Sequence, residues 1–198
     1  MLCFELRMPI KIVQKDEAVL REIAREIAPS DITSAKIKKV IADMKDALYT
    51  CDDGIAIAAP QIGVPLRIFV VSGKIFYIKK EPGNVSKDTP EPVLTKKEKL
   101  EFEKKCRKKD MVFINPKIIK LSKQRAWTPE GCLSVRWQYG DTHRSKQARV
   151  RAYDEHAHSF ETGASGLLAQ VFQHEIDHLN GILFIDHAKN IEELKPDA

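Results

Sequence analysis

The sequence predicts an α+β fold, with mostly antiparallel sheets around a central helix and with N-terminal helices packed outside. Apolar residues recur at helical spacing within about 16–49 and again at 167–179, where the central helix is expected. Short β-branched and apolar runs between these regions are typical of strands. No internal repeat and no Pro/Gly/Ser-rich linker divides the 198 residues, so we expect a single domain over 1–198.

Two helices are predicted near the N-terminus. In 16–27 four apolar residues recur at helical spacing, Asp16 is a suitable N-cap, and Pro29 follows the end. In 34–49 five apolar residues share one face, and the lysines lie mostly off it. Neither helix carries obvious chemistry, so both are expected to pack against the core.

The middle of the chain is predicted to be a buried turn or extended segment followed by strands. Residues 54–63 are small and apolar and are punctuated by glycine and proline. A strand is predicted at 66–72, and the sheet is expected to continue through 75–78. Further strands are predicted at 111–114 and 148–153, the latter with alternating apolar and basic residues.

Residues 79–110 differ in composition from the rest of the chain. Prolines come first, and a dense mixture of Lys and Glu follows. This composition predicts a charged, solvated insertion, a loop with a short helix in its second half. Cys106 lies in this stretch and is assigned no role.

The composition is that of a globular protein with a mildly basic surface. Hydrophobic residues make up 43% and charged residues 31%, and the formal net charge is +5. That charge suits an acidic partner such as RNA, but a solvated lysine-rich face is the commoner explanation. No apolar run approaches the roughly 20 residues that cross a bilayer, and no signal peptide is recognisable. The four cysteines are scattered without a CxxC pair, which favours a reducing, cytoplasmic setting.

The helix predicted at 167–179 carries the string His174-Glu175-Ile176-Asp177-His178. Histidines four residues apart lie on one face, one turn apart, so both imidazoles can reach one metal ion. The carboxylate of Glu175 follows the first histidine, where it can accept a proton from a water molecule beside the metal. Two surface histidines on an amphipathic helix are the alternative explanation of these residues.

A catalytic metal site needs a third protein ligand and an open position. Cys132, in the string EGCLS at 130–134, lies 42 residues before His174, a separation that allows a sheet turn to bring it against the helix. A thiolate with two imidazoles suits Fe²⁺ or Zn²⁺. A buried cysteine that only fills space is the alternative, although the neighbouring glycine favours a close approach of the backbone.

Three separated motifs resemble the signature motifs of peptide deformylases of the bacterial and organellar type. They are GIAIAAPQIG at 54–63, EGCLS at 130–134 and QHEIDHLNGILFID at 173–186, in the order and rough spacing of the family. The resemblance extends from about residue 9 to 188. It implies a metal-dependent enzyme that hydrolyses the N-formyl group from the N-terminal formyl-methionine of nascent polypeptides and releases formate.

The resemblance also implies a metal centre. Cys132, His174 and His178 would bind one divalent metal ion per chain, commonly Fe²⁺ in the cell and often Zn²⁺ or Ni²⁺ in isolated forms. Glu175 would be the general base and then the general acid.

Supporting residues around the metal follow from the same resemblance. The backbone N–H of Leu133 and the side-chain amide of Gln61 would donate hydrogen bonds to the oxyanion that develops as water attacks. Glu130 and Arg144 match a pair that, in the family, holds the cysteine loop through an ion pair. Asp177 lies off the ligand face, so it is given a supporting or helix-surface role.

The implied substrate cleft holds the methionine side chain in an apolar pocket walled by Ile55, Leu167 and Val171. The same residues would also suit a simple core. The peptide would lie along the first motif as an added strand and pair with the backbone of Ile55 and Ala56. Gly131 would line the same cleft.

The chain departs from the family pattern at several points. Ala56 stands where the first motif usually has glycine, and Arg136 and Trp137 follow EGCLS-Val where proline is common. The long C-terminal helix that docks some bacterial members on the ribosome is expected to be absent or reduced to a stub. The expected partners are a formyl-methionyl peptide and, transiently, the ribosome, with no direct nucleic-acid site and no membrane.

Two other functions compete with this one. An HExxH peptidase would need a third ligand downstream, for which His187 and Glu192 are available. A non-catalytic homologue would keep the fold as a binding module, although all of the inferred chemical groups are present.

Overall fold

The computed structural model describes residues 10–78 and 95–195. The α-helices in these residues are α1 (Ala35–Tyr49), α2 (Lys96–Arg107) and α3 (Leu167–Leu179). The strands are β1 (Ala56–Ala58), β2 (Ile68–Val71), β3 (Met111–Leu121), β4 (Arg125–Cys132), β5 (Val135–Ser145), β6 (Gln147–Tyr153), β7 (Ser159–Ser165) and β8 (Lys189–Glu193). Within the described ranges, no helix combines the length and the apolar character that a membrane span requires.

The strands form two antiparallel sheets, which confirms the predicted α+β fold. A five-stranded sheet has the order β1-β2-β3-β6-β7, and a three-stranded sheet has the order β4-β5-β8. Strand β1 lies at an edge of the larger sheet. Such an edge presents backbone N–H and C=O groups that can pair with another extended chain.

The larger sheet is covered by a helix on each face. Ile68 packs in the cluster that includes α1, whereas the next residue, Phe69, packs in the cluster that includes α3. On the α3 side the ring of Phe69 stacks on Phe113, with centroids 4.4 Å apart, and Phe172 of α3 meets Phe113 edge-on at 5.2 Å. These aromatic contacts hold α3, with its HExxH string, firmly against the sheet.

The helix predicted at 34–49 is confirmed as α1, but the helix predicted at 16–27 is wrong. A 3₁₀ turn, Ala18–Arg21, forms there instead, and the backbone N–H of Ala24 donates to the C=O of Leu179 at 3.0 Å. This tertiary hydrogen bond satisfies a backbone group that a helix would pair internally, so the local helical pattern is overridden.

The prediction that the sheet continues through 75–78 is also wrong. A 3₁₀ turn occupies Gly73–Phe76, and it begins where the hydroxyl of Ser72 accepts a hydrogen bond from the N–H of Lys74 at 3.2 Å. The other predicted strands are confirmed within β2, β3 and β6. The segment 54–63 contains β1 followed by a 3₁₀ turn.

The helix predicted in the second half of the charged insertion is confirmed as α2. The hydroxyl of Thr95 accepts from the N–H of Glu98 at 3.3 Å, and the carboxylate of Glu98 accepts from the N–H of Thr95 at 2.8 Å. This reciprocal cap satisfies two backbone donors at the start of the helix. Residues 79–94 of the predicted loop lie outside the described residues. Cys106 is buried on the inner side of α2.

The Gly73→Ala substitution is expected to destabilise the protein by about 1–3 kcal/mol, because no space is available for a side chain. A Cβ at this position would press on the backbone C=O of Cys106 and lie 2.8 Å from the Cβ of Lys109. Urea denaturation measures the change in the free energy of unfolding. The matched control is Gly163→Ala, since a Cβ there meets nothing within 4 Å. Equal losses of stability in the two variants would contradict the packing argument.

Candidate active site

The fold brings Cys132, His174 and His178 together. The two histidine rings lie one turn apart on α3, with centroids 4.9 Å apart. Cys132 ends β4, directly before the turn into β5, and its Sγ lies 3.2 Å from Nε2 of His178. The three candidate ligand atoms lie within 4.8 Å of one another, and the ranges 10–78 and 95–195 contain no second group of this kind.

The spacing and chemistry of these atoms fit a divalent metal ion. In a tetrahedral site with one sulfur and two nitrogen ligands, neighbouring ligand atoms lie about 3.3–3.6 Å apart. Burial holds the pKa of His178 well below its ordinary value, so its imidazole is neutral and has a lone pair for a metal. Burial also acts to lower the pKa of His174, but hydrogen bonds to Cys132 and Glu130 raise it well above the ordinary value. The pocket therefore favours a positive charge beside the cysteine.

Glu175 is a buried carboxylate beside the candidate ligands. Its side chain lines the cleft, and its Oε2 has no hydrogen-bond partner among the described residues. Burial is the main cause that raises the pKa of Glu175 to about 7, the charge of His174 opposes the shift, and the charge of Glu130 adds to it. A carboxyl group with an unpaired oxygen and a pKa near neutrality is suited to accept a proton and to return it.

Glu130 and Arg144 form the ion pair that the family resemblance implies, and this pair orients His174. Nε and Nη2 of Arg144 donate to the two carboxylate oxygens of Glu130 at 2.7 and 3.0 Å, while Nη1 pairs with Asp177 at 2.6 Å. Oε2 of Glu130 lies 3.1 Å from Nδ1 of His174, so Nε2 of that ring is the nitrogen left for a metal. Burial acts to raise the pKa of Glu130, but hydrogen bonds from His174 and Arg144 hold it well below its usual range.

Replacing Arg144 by Met is expected to lower the free energy of unfolding by about 3–5 kcal/mol, because the carboxylate of Glu130 would stay buried without its cation. Metal affinity is expected to fall by about 10–100-fold, since the carboxylate that orients His174 would lose its anchor. Chemical denaturation and metal titration measure the two effects. Arg149→Met, which removes an exposed arginine of β6, is the control. An Arg144→Met protein as stable as this control would show that the pair is dispensable.

Gln61 is held with its amide nitrogen towards Cys132. Its Oε1 accepts a hydrogen bond from the N–H of Ala58 at 2.8 Å, which orients the amide. Its Nε2 donates to Oγ of Ser134 at 3.1 Å and lies 3.5 Å from Sγ of Cys132. Ser134 was not among the predicted site residues, although its place in the EGCLS string was a signal that it lies near the cysteine.

A cleft of about 290 Å³ opens over these side chains. It is lined by all of the residues expected to bind substrate, namely Ile55, Ala56, Gly131, Leu167 and Val171. Leu133 also lines the cleft, and its C=O accepts a hydrogen bond from Nε2 of Gln14 at 3.2 Å. A Cβ on Gly131 would lie 2.7 Å from the ring of Tyr139, so the close approach expected at this glycine is made by an aromatic side chain. Gln14 and Tyr139 carry no pattern in the sequence that marks them as parts of the site.

A family model for polypeptide deformylases matches residues 9–194. The chain belongs to this family. Peptide deformylase from Bartonella quintana is 36% identical over 186 residues, which cover 93% of this chain and 88% of that protein. Peptide deformylase 1A of Arabidopsis thaliana, described as chloroplastic/mitochondrial, is 38% identical over 176 residues, which cover 89% of this chain and 60% of that protein.

The fold agrees with those of solved deformylases. A peptide deformylase from Legionella pneumophila superposes with a TM-score of 0.69 and 32% identity, over 91% of this chain and 86% of that chain. A class I type b peptide deformylase from Acinetobacter baumannii, bound to Met-Ala-Ser, has a TM-score of 0.68 and 27% identity, over 90% of this chain and 97% of that chain. The comparison supports a deformylase architecture through most of the chain.

The departure from the deformylase pattern at Ala56 is accommodated by the backbone. The φ angle of Ala56 is not positive, so a methyl group there causes no strain. Ala56 lines the cleft.

Neither downstream candidate supplies the third metal ligand that an HExxH peptidase would need. His187 lies 4.0 Å from the carboxylate of Asp177, and Glu192 lies on β8 opposite Tyr139. Neither residue belongs to the group of candidate metal ligands. The third member of that group is Cys132.

Proposed function

We propose that this chain removes the formyl group from the N-terminal formyl-methionine of nascent polypeptides and releases formate. The observation that carries the proposal is the convergence of Cys132, His174 and His178 beside the buried carboxylate of Glu175, at the base of a largely apolar cleft. Membership of the polypeptide deformylase family supports it.

The proposed metal site consists of Cys132, His174 and His178. The resemblance to deformylases implies Fe²⁺ in the cell and Zn²⁺ or Ni²⁺ in isolated forms, and a thiolate with two imidazoles suits Fe²⁺ or Zn²⁺. When bound, the ion polarises the formyl carbonyl and makes the attacking water more acidic.

Glu175 would act first as a general base and then as a general acid. Its buried carboxylate accepts a proton from water while the water oxygen forms a bond to the formyl carbon. The carboxyl group then returns this proton to the amide nitrogen as the carbon–nitrogen bond breaks. The products are formate and a free methionine amino group.

Gln61 and the backbone N–H of Leu133 would stabilise the negative charge that develops on the formyl oxygen. The amide of Gln61 is already oriented by Ala58 and Ser134, so it needs no reorganisation during the reaction. Removal of one such donor typically costs about 10²–10³-fold in kcat.

The substrate would bind as an extended chain against the open edge of β1. The backbone of Ile55 and Ala56 lies at this edge and would pair with the peptide. The methionine side chain would enter the apolar part of the cleft, among Ile55, Leu167 and Val171. The Met-Ala-Ser bound to the Acinetobacter baumannii relative is a peptide of the kind that this reaction would leave behind.

The proposal also includes one catalytic domain over 1–198, with the insertion at 79–110, and a cytoplasmic location. The cysteines in the described residues, Cys51, Cys106 and Cys132, are free thiols, as expected in a reducing compartment. The ribosome is proposed as a transient partner, because nascent formyl-methionyl chains are presented there.

Formate release from formyl-Met-Ala-Ser by anaerobically prepared protein tests the function. Unformylated Met-Ala-Ser serves as the matched peptide, and each is assayed before and after EDTA and again after Fe²⁺ is restored. Metal-dependent formate release, with Met-Ala-Ser left intact, is the expected result. Cleavage of a peptide bond in Met-Ala-Ser would favour the peptidase, and metal binding without hydrolysis of either peptide would favour the non-catalytic homologue.

A further inference from the structure

Strand β5 carries extra residues at the mouth of the cleft. In its pairing with β4, Gly131 lies opposite Tyr139, but the next residue, Cys132, lies opposite Val135. Residues 136–138 therefore have no partner on β4 and form a bulge in this pairing, while Gln138 pairs with Glu193 of β8. This segment, termed the rim bulge, lines the cleft with all three of its residues.

The rim bulge is held from both sides. Trp137 has a positive φ of 64°, which bulky residues rarely adopt, and its C=O accepts a hydrogen bond from the N–H of Leu194 at 2.7 Å. On the cleft side, Nη1 of Arg136 forms an ion pair with Oδ2 of Asp53 at 2.6 Å. Tertiary contacts thus maintain an unusual backbone conformation, and such conformations cluster at functional sites.

Asp53 and Arg136 lie where the bound peptide would leave the site. In the proposed mode of binding, the formyl group lies at Gln61, after β1, and the methionine side chain lies at Ile55, before it. The following residues of the peptide therefore continue towards Asp53, and Asp53 is paired with Arg136 across the cleft.

The guanidinium of Arg136 has donors available to a further partner. Its ion pair with Asp53 joins one nitrogen to one oxygen, the side chain of Cys51 also interacts with it, and its Cζ lies 5.5 Å from the centroid of the Trp137 ring, whereas a guanidinium carries five N–H donors. The side chain of Arg136 is 25% exposed and that of Asp53 is 57% exposed, so the cation is the more buried partner. Among the described residues that line the cleft, Arg136 is the sole arginine or lysine.

We propose that Arg136 is a specificity-determining residue that binds one of the two residues following formyl-methionine and favours an acidic side chain there. This inference rests on the proposed function. A substrate carboxylate would accept hydrogen bonds from the unused donors of the guanidinium. A substrate lysine, which only donates hydrogen bonds, could form none with the guanidinium, and an alanine or serine would gain little from it.

The test compares wild-type protein with Arg136→Gln on formyl-Met-Ala-Xaa-amide and formyl-Met-Xaa-Ala-amide, where Xaa is Asp, Ser or Lys. The amide removes the terminal carboxylate, which would otherwise compete for the guanidinium. In one of the two series the wild type is expected to prefer Asp over Lys by about fivefold in kcat/KM, as for a partly exposed ion pair. Arg136→Gln is expected to abolish the preference through KM, with kcat and metal content unchanged.

Asp53→Asn separates substrate recognition from a purely structural role of the ion pair. Because this variant frees the guanidinium, the preference for Asp is expected to be kept or strengthened. If the ion pair only holds the rim bulge in place, Asp53→Asn and Arg136→Gln will each change kcat/KM by the same factor for all substrates. The control variant Arg149→Gln removes an exposed charge on β6 and is expected to leave the preference for Asp at its wild-type value.

The outcomes distinguish the two levels of the proposal. Absence of formate release by the metal-loaded wild type on every substrate would overturn the proposed function. Formate release with the same Asp-to-Lys ratio in wild type and Arg136→Gln, in both series, would overturn the role of Arg136 alone.

Discussion

The Glu175→Gln substitution is expected to lower kcat on formyl-Met-Ala-Ser by about 10²–10⁴-fold, the usual contribution of a general acid–base group. The amide has the shape of the carboxyl group and fills the same buried space, but it cannot take a proton from water. His174 and His178 stay in place on α3, so the metal content is expected to be unchanged. Formate release at saturating substrate and metal analysis of the same preparation measure the two quantities.

The control for this result is Glu155→Gln, which changes a carboxylate in the turn between β6 and β7 and is expected to keep the wild-type rate. The Glu175→Gln protein is also expected to be at least as stable as the wild type. Its carboxylate is buried, and Oε2 has no partner among the described residues, so the native group is held at a cost in stability. Full activity in a Glu175→Gln protein that retains its metal would contradict the role of Glu175.

The Cys132→Ala substitution is expected to abolish activity by removing the metal. Without the thiolate, only the two imidazoles of α3 remain as protein ligands. The metal affinity is expected to fall by more than the roughly 10–100-fold that loss of a supporting contact costs. Metal content after dialysis against a weak chelator, measured with formate release, tests this expectation. Loss of both in parallel is the predicted result.

Cys51→Ser is the matched control for the loss of a thiol, because Cys51 is a free cysteine outside the group of candidate ligands. It is expected to retain wild-type metal content. A Cys132→Ala protein with one tightly bound metal ion per chain would show that another side chain supplies the third ligand. The proposed coordination would then be wrong, even if formate release persisted.

Local patterns predicted several elements correctly. The helix at 167–179 was bounded correctly because its apolar residues recur over three turns and Gly181 follows its end. The helix at 34–49 was predicted for the same reason. The helix predicted at 16–27 does not form, because backbone groups in this segment are hydrogen-bonded to α3 and to the segment around residue 66. Periodicity alone does not detect such partners.

The residues of the candidate site likewise divide into those that the sequence indicated and those that it did not. The spacing of His174 and His178 on one helix face follows from helix geometry, so the sequence indicated both ligands directly. The roles expected of Gln61 and Arg144 came from the resemblance to deformylases, since each lies far from the histidines along the chain. Ser134 and Gln14 were missed because a single hydrogen bond to a distant residue leaves no periodic signal.

The sequence by itself determined the kinds of chemical group available, their order and the helix that carries two of the candidate ligands. These properties depend on residue type and on spacings within a few turns of backbone. The tertiary structure alone decided how close Cys132 comes to His178, how deeply Glu175 is buried beside them, and how Arg136 reaches Asp53. Those features depend on the register of β4 with β5 and on the packing of α3 against the larger sheet. Both bring together residues that are far apart in the chain, and no local pattern of residue types encodes that approach.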